Sequence, residues 1–205
     1  MARPQFLAAS VGICLTLSTA VAEETISDLR DVTIGMSAQD LPASGYRNLA
    51  CVGETNQALE YWGAWKACPA GPDGLRRVHV DYDQPGQDTT MVAGHPVDVT
   101  ISFDDSGRLV RIEIKTQDQA SLYMRKKAHL LARQAMEHYG HDGWSCRDTP
   151  PSANEEAIGA TYVNETCSKA SGRRSIDVSS RFFHKSGGGS RDFVSDSVVV
   201  VNFRP

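Results

Sequence analysis

Apolar and polar residues alternate with period two in several stretches of the chain. Val78, Val80 and Tyr82 are separated by His79 and Asp81, and Val97, Val99, Ile101 and Phe103 by Asp98, Thr100 and Ser102. Val110, Ile112 and Ile114 alternate with Arg111 and Glu113, and Asp104-Asp105-Ser106-Gly107 lies between the last two stretches as a turn. This pattern predicts an antiparallel hairpin with one buried and one wet face. Further on, 161–167, 175–183 and 193–203 read as strands, with the glycine-rich 186–190 as a hairpin tip and 147–158 as an exposed loop. Val198 to Val201 is continuously apolar, which predicts a strand covered on both faces.

Between the two strand-rich halves the period changes. Ala120, Tyr123, Met124, Ala128, Leu131, Ala135 and Tyr139 recur at steps of three or four, and Gly140 follows as a C-cap. The spacing predicts one long amphipathic helix over 117–139. The fold class expected is therefore α+β, a long central helix packed on an antiparallel sheet. Each half has a helical start, a tryptophan-bearing segment, two cysteines and strands, which suggests a degenerate tandem of two helix-plus-sheet units. Residues 23–115 would form the first and 116–205 the second, the two possibly making one compact domain.

Residues 1–22 have the layout of a secretory signal peptide: Arg3, an apolar core from Phe6 to Leu17, and the small-residue end Ala20-Val21-Ala22. The expected location is periplasmic or secreted, with no transmembrane segment after cleavage. Cys51, Cys68, Cys146 and Cys167 would then meet an oxidising compartment, and two per half favours the pairs Cys51–Cys68 and Cys146–Cys167. A four-thiolate zinc site would need close pairs such as C-x-x-C, which neither half has.

The formal net charge of −4 argues against nucleic acid or an anionic membrane as the principal partner. Candidate chemistry is sparse. No serine stands in a nucleophile elbow, and Gly187-Gly188-Gly189 has no lysine or helix to cradle a phosphate. His138 and His141 are separated by the helix-ending Gly140, so surface or capping roles suit them better than metal binding. No cofactor, metal or catalytic residue is implied. Tyr61, Trp62 and Trp65 are either core filling around a disulfide or an exposed patch; as a patch they form the candidate interaction surface.

Ile34-Gly35-Met36-Ser37 with Asp40-Leu41, where Ser37 and Asp40 have capping-box spacing, resembles the helix opening of the SmpA/OmlA (BamE-like) envelope proteins. Pro42 departs from that pattern. The tandem organisation with a local disulfide in each half resembles the beta-lactamase inhibitor protein group. The resemblance implies an exported, non-catalytic module, inhibitor-like or envelope-assembly-like, whose partner is another exported or envelope protein. A small-ligand-binding protein, needing a concave apolar cavity between sheet and helix, is the alternative; a small hydrolase with a dispersed site is a third.

Overall fold

The computed structural model describes residues 26–53, 56–82, 86, 89–189 and 191–205. The proposed signal peptide and Ser190 of the expected 186–190 hairpin tip lie outside these residues. In chain order the strands are β1 (Tyr46–Cys51), β2 (Arg76–Tyr82), β3 (Met91–Val92), β4 (His95–Phe103) and β5 (Leu109–Thr116). Helices α1 (Leu122–Lys127) and α2 (Leu130–His138) follow, and then β6 (Ser145–Asp148), β7 (Glu155–Glu156), β8 (Val163–Ser171), β9 (Arg174–Lys185) and β10 (Phe193–Phe203). A 3-10 helix occupies Trp62–Ala67.

The strands hydrogen-bond in the order β1-β2-β4-β5-β10-β9-β8-β6, with β3 pairing β4 and β7 pairing β9. Every pairing is antiparallel. The β5–β10 pairing makes one sheet of strands from both halves of the chain. A single row of side chains crosses it: Val80, Val99, Ile114, Val199, Val178, Cys167 and Cys146 stand opposite one another on successive strands. That row belongs to the face carrying the core. On the reverse face the neighbouring row reads Thr100, Glu113, Val200, Asp177 and Ser168. The continuous run of β10 is thus split. Val199 and Val201 are buried, whereas Val198 and Val200 are half-buried among polar side chains.

The expected α+β fold with a long central helix is corrected: the protein is mostly antiparallel sheet, and its three described helical segments are short. Residue 117 belongs to the sheet's margin. Gln117 N–H donates to Pro96 O at 3.0 Å and its amide donates to Val97 O and Asp98, so the helix cannot begin there. The second interruption falls at Ala128–His129, where three strand serines replace helical bonds. Ser197 Oγ donates to Ala128 O at 2.9 Å and accepts from Ala132 N–H at 3.3 Å. Ser195 Oγ accepts from His129 N–H, and Ser180 Oγ donates to His129 O at 2.8 Å. A side chain inserted into the i→i−4 ladder is a recognised cause of such a break.

The segment Ile34–Leu41 makes turns, not a helix: Asp40 N–H bonds Ser37 O, and the backbone of Gly35 and Ala38 docks on Leu109 and Gly107. The loop expected over 147–158 contains part of β6 and all of β7. Gly140 does carry the left-handed backbone of a C-cap, at φ +86°.

Candidate functional site

The segment from Ile26 to Arg30, α2 and the β3–β4 turn stand around one region of the sheet and leave a cavity of about 750 Å³ among them. Its floor is Ile114, Val199 and Tyr82; Leu131, Gln134, Ala135 and His138 of α2 form one wall; Met91, Val92 and Ala93 form another. The helix is here because its buried side, Leu131 and Ala132, packs on β9 and β10. The lining is mainly apolar, with a few polar groups, and the volume is of the size that takes a small organic molecule.

Asp28 fixes the third wall. Its carboxylate is fully buried and accepts from Arg174 Nε at 2.8 Å, Tyr139 OH at 3.1 Å and Ile34 N–H at 2.7 Å. Arg174 also donates to Ile26 O at 2.6 Å, and His138 Nε2 lies 2.8 Å from Ser27 O, placing the ring proton on that nitrogen. Residues 26–34 are therefore tied to β9 and to the end of α2. Burial, reinforced by the neighbouring Asp28 charge, raises the Tyr139 pKa and keeps its hydroxyl a donor. Both Asp28 oxygens are committed, which makes this carboxylate part of the frame and not a free acid or base.

The other polar groups at the cavity are also held in place. Arg30 donates to Gly45 O at 2.9 Å, and its guanidinium lies over the rings of Tyr46 and Tyr82 at 5.4 and 5.1 Å. Burial pushes the Tyr82 hydroxyl up to about 12, and that hydroxyl donates to Met91 O. Gln134 Oε1 accepts from His95 Nε2 at 2.9 Å. Ala93 has φ +48° and precedes Gly94 at +82°, the two left-handed positions of a primed hairpin turn at the rim. Nothing in this arrangement pairs a nucleophile with a base.

A second cavity of about 620 Å³ lies near the β9–β10 hairpin. It is more polar, and Arg181 and Asp196 within it neutralise each other through two bonds of 2.9 and 2.6 Å.

The residues singled out in the sequence are distributed elsewhere. Trp62 and Trp65 are buried at 6% and 4% exposure, while Tyr61 is 62% exposed. Trp62 donates Nε1–H to Pro42 O and meets the Tyr46 ring edge-on; Trp65 packs on Phe103. Of the two alternatives for Tyr61, Trp62 and Trp65, core filling holds for the two indoles, and of the candidate interaction surface only the tyrosine faces water. The two disulfides are Cys51–Cys68 and Cys146–Cys167. His138 is engaged with the Ser27 carbonyl, whereas His141 is exposed. Cys146, Glu165 and Cys167 crowd together, but the sulfurs are bonded to each other and offer no thiolate to a metal.

Asp28, Arg174 and Gln134 went unmarked in the sequence. They are far apart in the chain, and no periodicity or motif joins them; the packing of residues 26–30 and α2 against the sheet does. No protein-family model matches this chain, and neither does any curated protein or solved structure.

Proposed function

We propose that the protein is an exported binder of a small, predominantly apolar ligand, held in the cavity between α2 and the sheet. The observation that carries this reading is the cavity itself: a concave space lined by Ile114, Val199, Leu131, Ala135, Met91 and Val92, with Gln134 and His138 to orient a polar end. Its walls are braced by buried hydrogen bonds, so the site exists before a ligand arrives, which lowers the ordering cost of binding. Two disulfides suit an oxidising compartment, and among the described residues no helix is long and apolar enough to cross a membrane. The protein-interaction reading rests on the family resemblance; of its candidate surface only Tyr61 is open to water, since Trp62 and Trp65 are occupied in packing.

The test is titration with the uncharged fluorescent dye N-phenyl-1-naphthylamine. One saturable site per chain, lost when Ala135→Trp fills the cavity without lowering the melting temperature, is the expected result. Absence of saturable binding, or binding untouched by Ala135→Trp, overturns the reading.

A further inference from the structure

Outside the cavity, the feature that stands apart is the outer side of the two helices. Tyr123, Lys126, Lys127, Leu130 and Arg133 are all exposed and recur at helical spacing, forming one stripe on the side opposite buried Ala128, Leu131 and Ala132. The backbone stays right-handed helical through Ala128 and His129, so the stripe continues across the break in hydrogen bonding. Leu122 and Leu130 are 38% and 37% exposed and Tyr123 is 64% exposed, three of the large apolar side chains most open to water. From Gln119 to Met136 there is no aspartate or glutamate, yet there are Arg125, Lys126, Lys127 and Arg133. Among the described residues none of these four cations has a carboxylate partner.

From this stripe we infer that the α1–α2 face docks on an anionic lipid surface. Cations and amphipathic side chains are combined as a bilayer interface requires. Tyr123 and the two leucines can enter the headgroup region while Lys126, Lys127 and Arg133 meet lipid phosphates. Lys127 already lies over the Tyr123 ring, its ammonium 4.2 Å from the centroid, and donates to the phenol oxygen, so ring and charge are presented together. A protein partner fits less well, because lysine is depleted at the cores of protein interfaces whereas a lipid surface accepts it as a mobile point charge. The chain's net charge of −4 does not forbid this. Screening limits its reach to about 8 Å at physiological salt, so a bilayer in contact responds to the local stripe. Glu137 closes the stripe and marks its limit toward the end of α2.

The inference deepens the ligand-binding reading without depending on its test. The adjoining side of α2, through Leu131, Gln134 and Ala135, lines the cavity. A helix lying on the bilayer would thus bring the cavity beside the apolar phase, and the ligand class becomes membrane-derived amphiphiles.

The experiment is vesicle flotation of the full chain at low and high salt. It compares phosphatidylcholine vesicles with vesicles of phosphatidylcholine and phosphatidylglycerol. Binding to the anionic vesicles alone is expected, with loss at high salt and a drop of about tenfold or more in the K126E/K127E/R133E variant. Tyr123→Ala should weaken it separately. Both variants change exposed positions, and an unchanged melting curve certifies their folding. No flotation, equal binding to neutral vesicles, binding undiminished in the charge-reversed variant, or capture of an acidic protein in place of vesicles would each overturn the proposal. Dye titration without vesicles reads the cavity independently, so failure of one does not mimic failure of the other.

Discussion

Ser197 on β10 and Ala128 at the end of α1 share a buried hydrogen bond of 2.9 Å, and the same hydroxyl accepts from Ala132 N–H. One serine side chain therefore occupies the place of a helical i→i−4 bond. Its neighbour Thr116 accepts from Ser197 N–H at 3.0 Å, which fixes the serine against β5. The helices are thus positioned by strand side chains as well as by apolar burial.

If that bridge holds the helices to the sheet, Ser197→Ala should destabilise the protein by about 1–3 kcal/mol, the cost of stranding buried polar groups. Chemical denaturation measures it. A change below ~0.5 kcal/mol would mean that Ala132 recovers its bond to Ala128 and that the serine is dispensable.

Trp62→Ala and Trp65→Ala should each lower stability by about 3–5 kcal/mol, since both indoles are packed in the core. Tyr61→Ala, at an exposed position, should change it by less than ~0.5 kcal/mol. Thermal melts of the three variants separate the roles, and a Trp variant melting like wild type would contradict the packing.

Burial lowers the pKa of both His95 and His129 below the ordinary 6.5. The positive charges of Lys127 near His95 and of Arg133 near His129 act in the same direction, while the bond to Gln134 partly opposes it at His95. Below about pH 6.5 the unfolded chain binds protons that the folded chain refuses. Their contribution is therefore complete above that pH and is lost as the pH falls toward the folded values. Urea midpoints should decline between about pH 7 and 5, and the His95→Asn/His129→Asn variant should flatten the profile. An equal slope in that variant would assign the effect to other groups.

Ala93 holds a backbone, φ +48°, that costs a residue with a Cβ about 1 kcal/mol. Asparagine tolerates this region better. Ala93→Asn is expected to raise stability by about 0.5–1 kcal/mol in a thermal melt. A loss would show that the rim of the cavity needs the alanine for packing.

Cys51 and Cys68 are 1% and 0% exposed, whereas Cys146 is exposed on edge strand β6. A mild reductant should open Cys146–Cys167 first, and mass mapping of alkylated peptides would record the order. The chain separations are 17 and 21 residues, so either bond should contribute about 3 kcal/mol. Simultaneous opening would refute the ordering.

Much of the sheet was legible because period two is a local property. Val97 to Phe103 and Val110 to Ile114 specify a hairpin wherever they are placed, and Asp104 to Gly107 supplies its turn. The cysteine pairs could likewise be read, because two fall in each half and short loops close readily. The helical period from Ala120 to Tyr139 was only partly real, since Ala120 precedes α1 and Tyr123 faces water, and its continuity depended on side chains some fifty or more residues away. Ser180, Ser195 and Ser197 look in sequence like gaps in an apolar pattern; folded, they serve the backbone at Ala128, His129 and Ala132. Trp62 and Trp65 illustrate a second limit, since aromatic composition suits a core and a binding patch equally until the sheet decides which is covered. The cavity is the furthest from the sequence. Asp28, Tyr139 and Arg174 meet only because β5 pairs with β10 and so brings the two halves into register. Period and punctuation determine elements, but an ion pair spanning 146 residues is decided by which strands meet.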